Sequence, residues 1–249
     1  MTPPVVLTIA GSDSGGGAGI QADLKTFAAL GAYGASVITA VTAQNTIGVT
    51  AIHPVPAAIV AAQLDAVLSD LRVAAVKVGM VGDPAVAKVI VERARDLPHL
   101  VVDPVLVATS GARLGDVAFV EELIAYAKVL TPNREEARVL AGGRGGSPEA
   151  DAEVLAARGA RAVVVTGSEL AVDVLRYDGV TEILAGEPVA TANNHGSGCT
   201  FSSAIAVRLA AGDATPEAVR AAKRYVTTAL RGGSDWRLGA GPGPLNHFA

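Results

Sequence analysis

The sequence predicts an α/β fold: a mostly parallel sheet covered on both faces by helices, with an antiparallel edge late in the chain. Three observations carry this. Short apolar runs alternate with longer amphipathic stretches in a βαβα rhythm. The polar and glycine-rich segments fall just after the predicted strands, where ligands bind in such sheets. Finally, Asp178-Gly179 sits between two short apolar runs, which is a hairpin turn signal.

Taken in order, the predicted strands are Val5–Ala10, Ser36–Thr42, Ala74–Val78, Leu100–Val102, Val129–Leu130 and Ala162–Thr166. Between them, Ala18–Leu30, Pro56–Leu71, Pro84–Arg95, Val117–Ala127 and Pro148–Arg158 read as helices. The hairpin runs are Asp173–Tyr177 and Val180–Leu184. A helix carrying Phe201, Ala204, Ile205, Leu209 and Ala210 ends at Gly212, and another runs from Pro216 toward Arg231. With 249 residues, half of them hydrophobic, the chain can bury one sizeable core, so one domain over residues 1–249 is expected.

A net charge of -4 and the lack of any Lys/Arg run argue against a nucleic-acid or anionic-lipid partner. One cysteine cannot form an internal disulfide, and the start has no basic stretch followed by an apolar one; the expectation is a soluble cytoplasmic protein. No apolar run approaches the roughly 20 residues of a membrane span.

Within Asn193-Asn194-His195-Gly196-Ser197-Gly198-Cys199-Thr200, two glycines bracket a serine where a loop becomes a long helix. Unpaired N–H groups in a first helical turn converge on anions, so Gly196, Ser197 and Gly198 are read as an anion cradle. Cys199 would lie in that first turn, where a thiol is pushed toward thiolate; a lone cysteine elsewhere is more often a small buried hydrophobe.

Four other rim segments carry chemistry. Gly11–Gly19 fits neither the dinucleotide fingerprint nor a P-loop, and reads as a loop lying against a small ligand, with Asp23 one turn into the helix to bind a ligand hydroxyl. Gln44, at the end of the second strand, offers an amide that reads an aminopyrimidine edge as it reads adenine. Met80 would give apolar contact to a flat ring, although core packing explains it equally. Asp103-Pro104-Val105 and Thr131–Glu136 place Asp103, Asn133 and Glu136 just past strands. An N-cap at Asn133 with Glu136 as its capping-box partner accounts for the second spacing, while oxygen ligands there also suit a Mg²⁺ carried by nucleotide phosphates.

Together these segments resemble the ribokinase superfamily and, within it, the hydroxymethylpyrimidine/phosphomethylpyrimidine kinases. The resemblance rests on Ala10-Gly11-Ser12-Asp13, Thr42-Ala43-Gln44-Asn45-Thr46, Lys77-Val78-Gly79-Met80, Asp103-Pro104-Val105, Thr131-Pro132-Asn133 with Glu135-Glu136-Ala137, the cradle segment, and Gly243-Pro244-Leu245-Asn246-His247-Phe248. It implies a ribokinase-like three-layer sandwich, a homodimer, and ATP-dependent phosphorylation of the pyrimidine's hydroxymethyl group, then of the monophosphate. By this likeness Gln44, Gly11, Asp23, Met80 and Val107 line the substrate pocket. Asn133 and Thr166 bind nucleotide, Glu136 and Asp103 organise Mg²⁺ through the nucleotide and water, and Gly196 to Cys199 form the anion hole, with Cys199 as base. Pyridoxal kinases, a subset of which share the cysteine, are the nearest alternative; a non-catalytic pyrimidine-binding protein is another.

Two departures stand out. The family usually has Lys-Gly-Gly-His where this chain reads Thr166-Gly167-Ser168, and a lysine where Thr109 precedes Ser110-Gly111. The missing cations imply tighter dependence on Mg²⁺ or on a monovalent cation.

Overall fold

The computed structural model describes residues 2–106, 117–143, 146–167 and 171–249. Val107, Thr109 to Gly111 and Ser168, named above, lie outside them. The strands are β1 (Val5–Asp13), β2 (Tyr33–Gln44), β3 (Val49–Pro54), β4 (Val73–Val78), β5 (Val101–Val102), β6 (Val129–Leu130), β7 (Ala162–Val165), β8 (Val172–Tyr177) and β9 (Val180–Ala185). They form one sheet in the order β3-β2-β1-β4-β5-β6-β7-β8-β9. All pairings from β2 through β1 to β7 are parallel.

Side-chain alternation along these strands explains the layers. Leu7, Ile9, Val76, Val78, Val102, Leu130, Val163 and Val165 point to one face. There they meet Leu64 of α2 (Ala57–Asp70), Ile90 of α3 (Pro84–Arg93), Leu123 of α4 (Val117–Ile124), Leu140 of α5 (Arg134–Leu140) and Leu155 of α6 (Pro148–Ala157). Their neighbours Val6, Ala75, Val101, Val129, Ala162 and Val164 point the other way, against Phe27 of α1 (Gly19–Ala29), Phe201 and Ile205 of α7 (Ser197–Ala210) and Val219 of α8 (Thr215–Gly233). A strand buried on both faces is apolar for most of its length, which is why these runs stood out in the sequence, with Thr8 and Lys77 as buried polar exceptions in β1 and β4. The expected three-layer sandwich is present.

The hairpin reads as expected: Tyr177 pairs with Val180, and Asp178 and Gly179 both have positive φ, as a type I′ turn requires. The opposite edge was not foreseen. β3 pairs antiparallel with β2, so the sheet has an antiparallel strand at each edge. Its residues are almost all exposed, which leaves no buried alternation to read. The turn into it is held by the Asn45 side chain, which accepts hydrogen bonds from the Ile47 and Gly48 N–H groups.

Two boundaries matter for the site. β1 runs on through Asp13 with a shift of register at Gly11, so Gly11 and Ser12 belong to the strand rather than to a loop. β2 likewise runs on to Gln44. Because the connections diverge on either side of β1, the crevice beyond β1 and β4 is a topological switch point, the expected place for a ligand.

Candidate active site

A cavity of about 520 Å³ opens on this rim, and residues of all five polar segments line it. Gly11, Gln44 and Met80 lie in its wall with Asp103, Asn133, Glu136, Thr166 and the run from Gly196 to Cys199. Eleven of the expected site residues are thus brought together by segments up to 188 positions apart (Gly11 to Cys199).

The cradle is built by interlocking two turns. Gly196 caps α7 in the left-handed region (φ 86°), and a Cβ there would lie 1.8 Å from the Gly17 carbonyl oxygen. Only glycine fits. Cys199 falls in the first turn, as expected. A Cβ on Gly198 would meet nothing within 4 Å, because that position faces the open cavity. The Gly198 and Cys199 N–H groups have no acceptor inside the helix and are free to bind an anion.

The first glycine run is folded around a carboxylate instead. Asp13 Oδ1 accepts from Gly15 N–H (2.8 Å), and Oδ2 from the N–H groups of Gly17 (3.1 Å) and Ala18 (2.9 Å). His195 Nε2 lies 2.9 Å from the same Oδ2. Burial alone would raise the Asp13 pKa, but the bonds from His195, Ala18 and Gly15 outweigh it and hold the carboxyl below its usual range. Asp13 and His195 therefore tie the two glycine turns together. Neither was singled out from the sequence, although each lies inside a motif that was. Gln44 stands beside them: its Oε1 accepts from Thr42 Oγ1 at 3.2 Å, and its Nε2 is 3.5 Å from His195 Nε2. Met80 forms the adjoining apolar wall with Ala40 and Val105.

Asp23 does not reach the cavity, contrary to expectation. It is wholly buried, because one turn into α1 its side chain points inward to Lys77. Lys77 Nζ donates to both Asp23 oxygens (2.9 and 3.0 Å), and Thr8 Oγ1 and Ser203 Oγ donate at 2.6 and 2.7 Å. Lys77, itself fully buried, also lies 3.8 Å from Asp103 Oδ2. Burial would lower the Lys77 pKa, but the charges of Asp23, Cys199 and Asp103 overcome this and raise it. A single lysine inside an apolar strand was the signal for this network; it was read as motif, not as chemistry.

The expected thiolate is also corrected. Burial first, and then the charges of Asp103 and Asp23, push the Cys199 thiol up to about 12, against the opposing pull of Lys77 and a Gly19 N–H. The helix N-terminus does not overcome burial and two nearby carboxylates. Unliganded, the residue is a thiol at neutral pH.

At the far end, Asn133 Oδ1 accepts from Glu136 N–H (2.9 Å) while Glu136 Oε2 accepts from Asn133 N–H (3.0 Å), so the capping box is real. Glu136 Oε1 also accepts from Leu106 N–H at 3.2 Å. Burial, followed by repulsion from Asp103, pushes Glu136 up to about 7. Two mutually repelling carboxylates on one cavity wall suit a cation. Among the described residues, however, no group of three or more His, Cys, Asp or Glu side chains is placed to hold a metal alone. The donor set fits a cation that arrives with phosphates and keeps its waters.

Thr166 directly follows β7, its N–H donating to the Pro132 carbonyl at 2.9 Å. Arg134 lines the cavity beside it, with its guanidinium 3.1 Å from where a Cβ on Gly167 would stand. Arg134 was overlooked in the sequence because it reads as an ordinary first-turn residue of α5.

Comparison with known proteins identifies the family. A family model described as phosphomethylpyrimidine kinase matches residues 13–246. A hydroxymethylpyrimidine/phosphomethylpyrimidine kinase of Rhizobium meliloti is 50% identical, over 98% of this chain and 97% of its own length. Among solved structures, a phosphomethylpyrimidine kinase from Clostridium difficile is 40% identical with a TM-score of 0.80, covering 91% of this chain and 99% of that one. An ADP complex of Bacillus subtilis pyridoxal kinase is 35% identical with a TM-score of 0.88, covering 99% and 98%.

Proposed function

The chain belongs to the phosphomethylpyrimidine kinase family, and on that premise we propose the following reading of its site. The protein is a kinase that uses ATP to phosphorylate the hydroxymethyl group of hydroxymethylpyrimidine and then the resulting monophosphate, in thiamine biosynthesis. The observation that carries this reading is one cavity with an amide and an apolar wall at one end (Gln44, Met80), a capped, carboxylate-bearing end opposite (Asn133, Glu136), and the α7 cradle between.

Phosphoryl transfer asks a protein mainly to position groups and stabilise charge. Gln44 would orient the pyrimidine edge, with Gly11 and Met80 against the ring; Val107 belongs to the same assignment. Asn133 and Thr166 would hold the nucleotide. Glu136 and Asp103 would hold Mg²⁺ through phosphate and water, and that ion supplies charge neutralisation when bound. Arg134, on the same wall, supplies a cation where the family's lysines are missing, which reduces the need for a monovalent ion. The N–H groups of the cradle, with Ser197 at its mouth, stabilise the transferring phosphoryl. Cys199, as the small thiolate fraction that Lys77 supports, accepts the hydroxymethyl proton in the first step.

A homodimer is part of this reading, supported by the exposed apolar side chains Val41, Ile47 and Ile52 on the β2–β3 edge; sedimentation equilibrium tests it. Among the described residues no helix is long and apolar enough to cross a membrane. Pyridoxal phosphorylation is the second reading, favoured by the pyridoxal kinase likeness over nearly the full chain. Mass-resolved kinase assays on hydroxymethylpyrimidine, its monophosphate and pyridoxal decide between them. The proposal expects mono- and diphosphate products with a higher kcat/KM than for pyridoxal; pyridoxal phosphate as the preferred product overturns it.

A further inference from the structure

The opposite rim of the sheet carries a second cavity, of about 410 Å³, between the single 3-10 turn after α3, the segment leading into β5, and the end of α4. Three cationic side chains line it, Arg95, Lys128 and Arg161, together with the imidazole of His99, with Tyr126 and Leu97 between them. No lining residue is acidic; Asp96, next to Arg95, is exposed and outside the lining. Neighbouring arginines are paired: Arg93 with Asp65, and Arg158 with Glu121. Among the described residues, these four heads have neither a carboxylate nor a carbonyl partner. Arg95 stands over the Tyr126 ring, 6.0 Å from its centroid.

The backbone brings them together. Lys128 N–H donates to the Leu100 carbonyl, and Arg161 N–H to that of Ala127, so three segments leading into parallel strands are held side by side. His99 takes a left-handed conformation (φ 43°), sparsely populated by residues other than glycine. Gathering like charges costs Coulomb energy, and in a chain of net charge -4 with exposed carboxylates elsewhere, nothing general requires it. A bound anion offsets that repulsion. Two guanidinium groups favour the planar, bidentate binding of phosphate oxygens, and with Lys128 the three fixed positive charges exceed what a monoanion needs.

We propose that this cavity binds a di- or triphosphate group, with Tyr126 as a surface for an attached ring. The site is separate from the kinase site, which lies at the other ends of the same strands. Free polyphosphate and the phosphate chain of a nucleotide share this chemistry.

The test is an NMR titration of the imidazole resonances of His99, assigned by their loss in His99→Gln, with pyrophosphate and separately with ADP at constant ionic strength. His99 reports locally, so anion binding at the α7 cradle does not interfere. The expected result is a saturable shift, weakened about tenfold or more in the double variant Lys128→Gln/Arg161→Gln. Saturation by pyrophosphate points to free polyphosphate, and tighter saturation by ADP to a nucleotide. Both variant side chains are unpaired, so an unchanged thermal midpoint is expected to verify the fold. A His99 signal unmoved by either compound, or shifted equally in the double variant, overturns the proposal.

Discussion

At the carboxyl ends of the strands, Lys77 is wholly buried and is matched by Asp23 at 2.9 Å, Asp103 at 3.8 Å and two hydroxyl donors to Asp23. At the amino ends, Arg95, His99, Lys128 and Arg161 gather around a cavity with no acid in its wall. Both rims concentrate charge, but only the first had to be balanced by the protein itself. A buried ion with no partner loses its hydration without compensation, whereas a cation at the mouth of a cavity keeps its water until a ligand replaces it. Substitutions of the buried charges on the first rim should therefore affect folding and catalysis together, while those on the second should leave the fold alone.

The largest expected effect sharpens the first half of that contrast. Cys199→Ala should slow the first phosphorylation roughly a hundred- to ten-thousand-fold and the second much less, because a phosphate monoester attacks with an oxygen that is already anionic. With the thiol pushed up to about 12, kcat of the first step should rise with pH through the neutral and mildly alkaline range while the second stays nearly flat. Single-turnover rates of each step across pH measure this, and equal losses in both would remove Cys199 as the base.

Lys77→Met comes next. It strands the wholly buried Asp23 carboxylate and removes the cation beside Asp103, and should cost about 3–5 kcal/mol, read by denaturant unfolding. Adding Asp23→Asn should restore part of the loss; an unchanged midpoint in the single variant would break the comparison between rims. Gly198→Val probes the cradle without touching the fold, since its side chain enters open space. Both steps should lose about a hundred- to a thousand-fold in kcat at unaltered stability, and full activity would show that the cradle does not hold the phosphoryl group.

The smallest effect concerns Glu136. Its folded pKa is raised to about 7 from the 4.5 of an ordinary glutamate. Between those values the unfolded chain gives up its proton while the folded one keeps it, so stability falls as pH rises through this window, by at most about 3–4 kcal/mol. Below 4.5 both states are protonated and the penalty vanishes. Glu136→Gln should flatten the metal-free stability profile between pH 4.5 and 7, and an identical slope in parent and variant would refute the assigned shift.

Much of this was legible in the residue order. Strands buried on both faces leave apolar runs, helices leave amphipathic ones, and Asp178-Gly179 marks its turn; β3 was missed because a solvated edge strand leaves no such trace. Asn133 announced its role by type and position, as a capping-box residue, and the glycines around Ser197 marked where α7 begins. Asp23, Lys77, Asp13 and His195 did not announce theirs, since a polar residue beside the predicted rim reads the same whether it faces a ligand or another buried charge.

The sequence by itself determined the layers, the five rim segments and the helix start that bears Cys199, because periodicity and turn chemistry act over a few residues. Only the tertiary structure decided which charges meet. It placed Asp23 under the floor instead of in the wall, kept Cys199 protonated beside two carboxylates, and gathered Arg95, His99, Lys128 and Arg161 around one cavity with no carboxylate partner among the described residues. Electrostatic energy depends on distance and burial across the whole fold, and neither is written in the local order of residues.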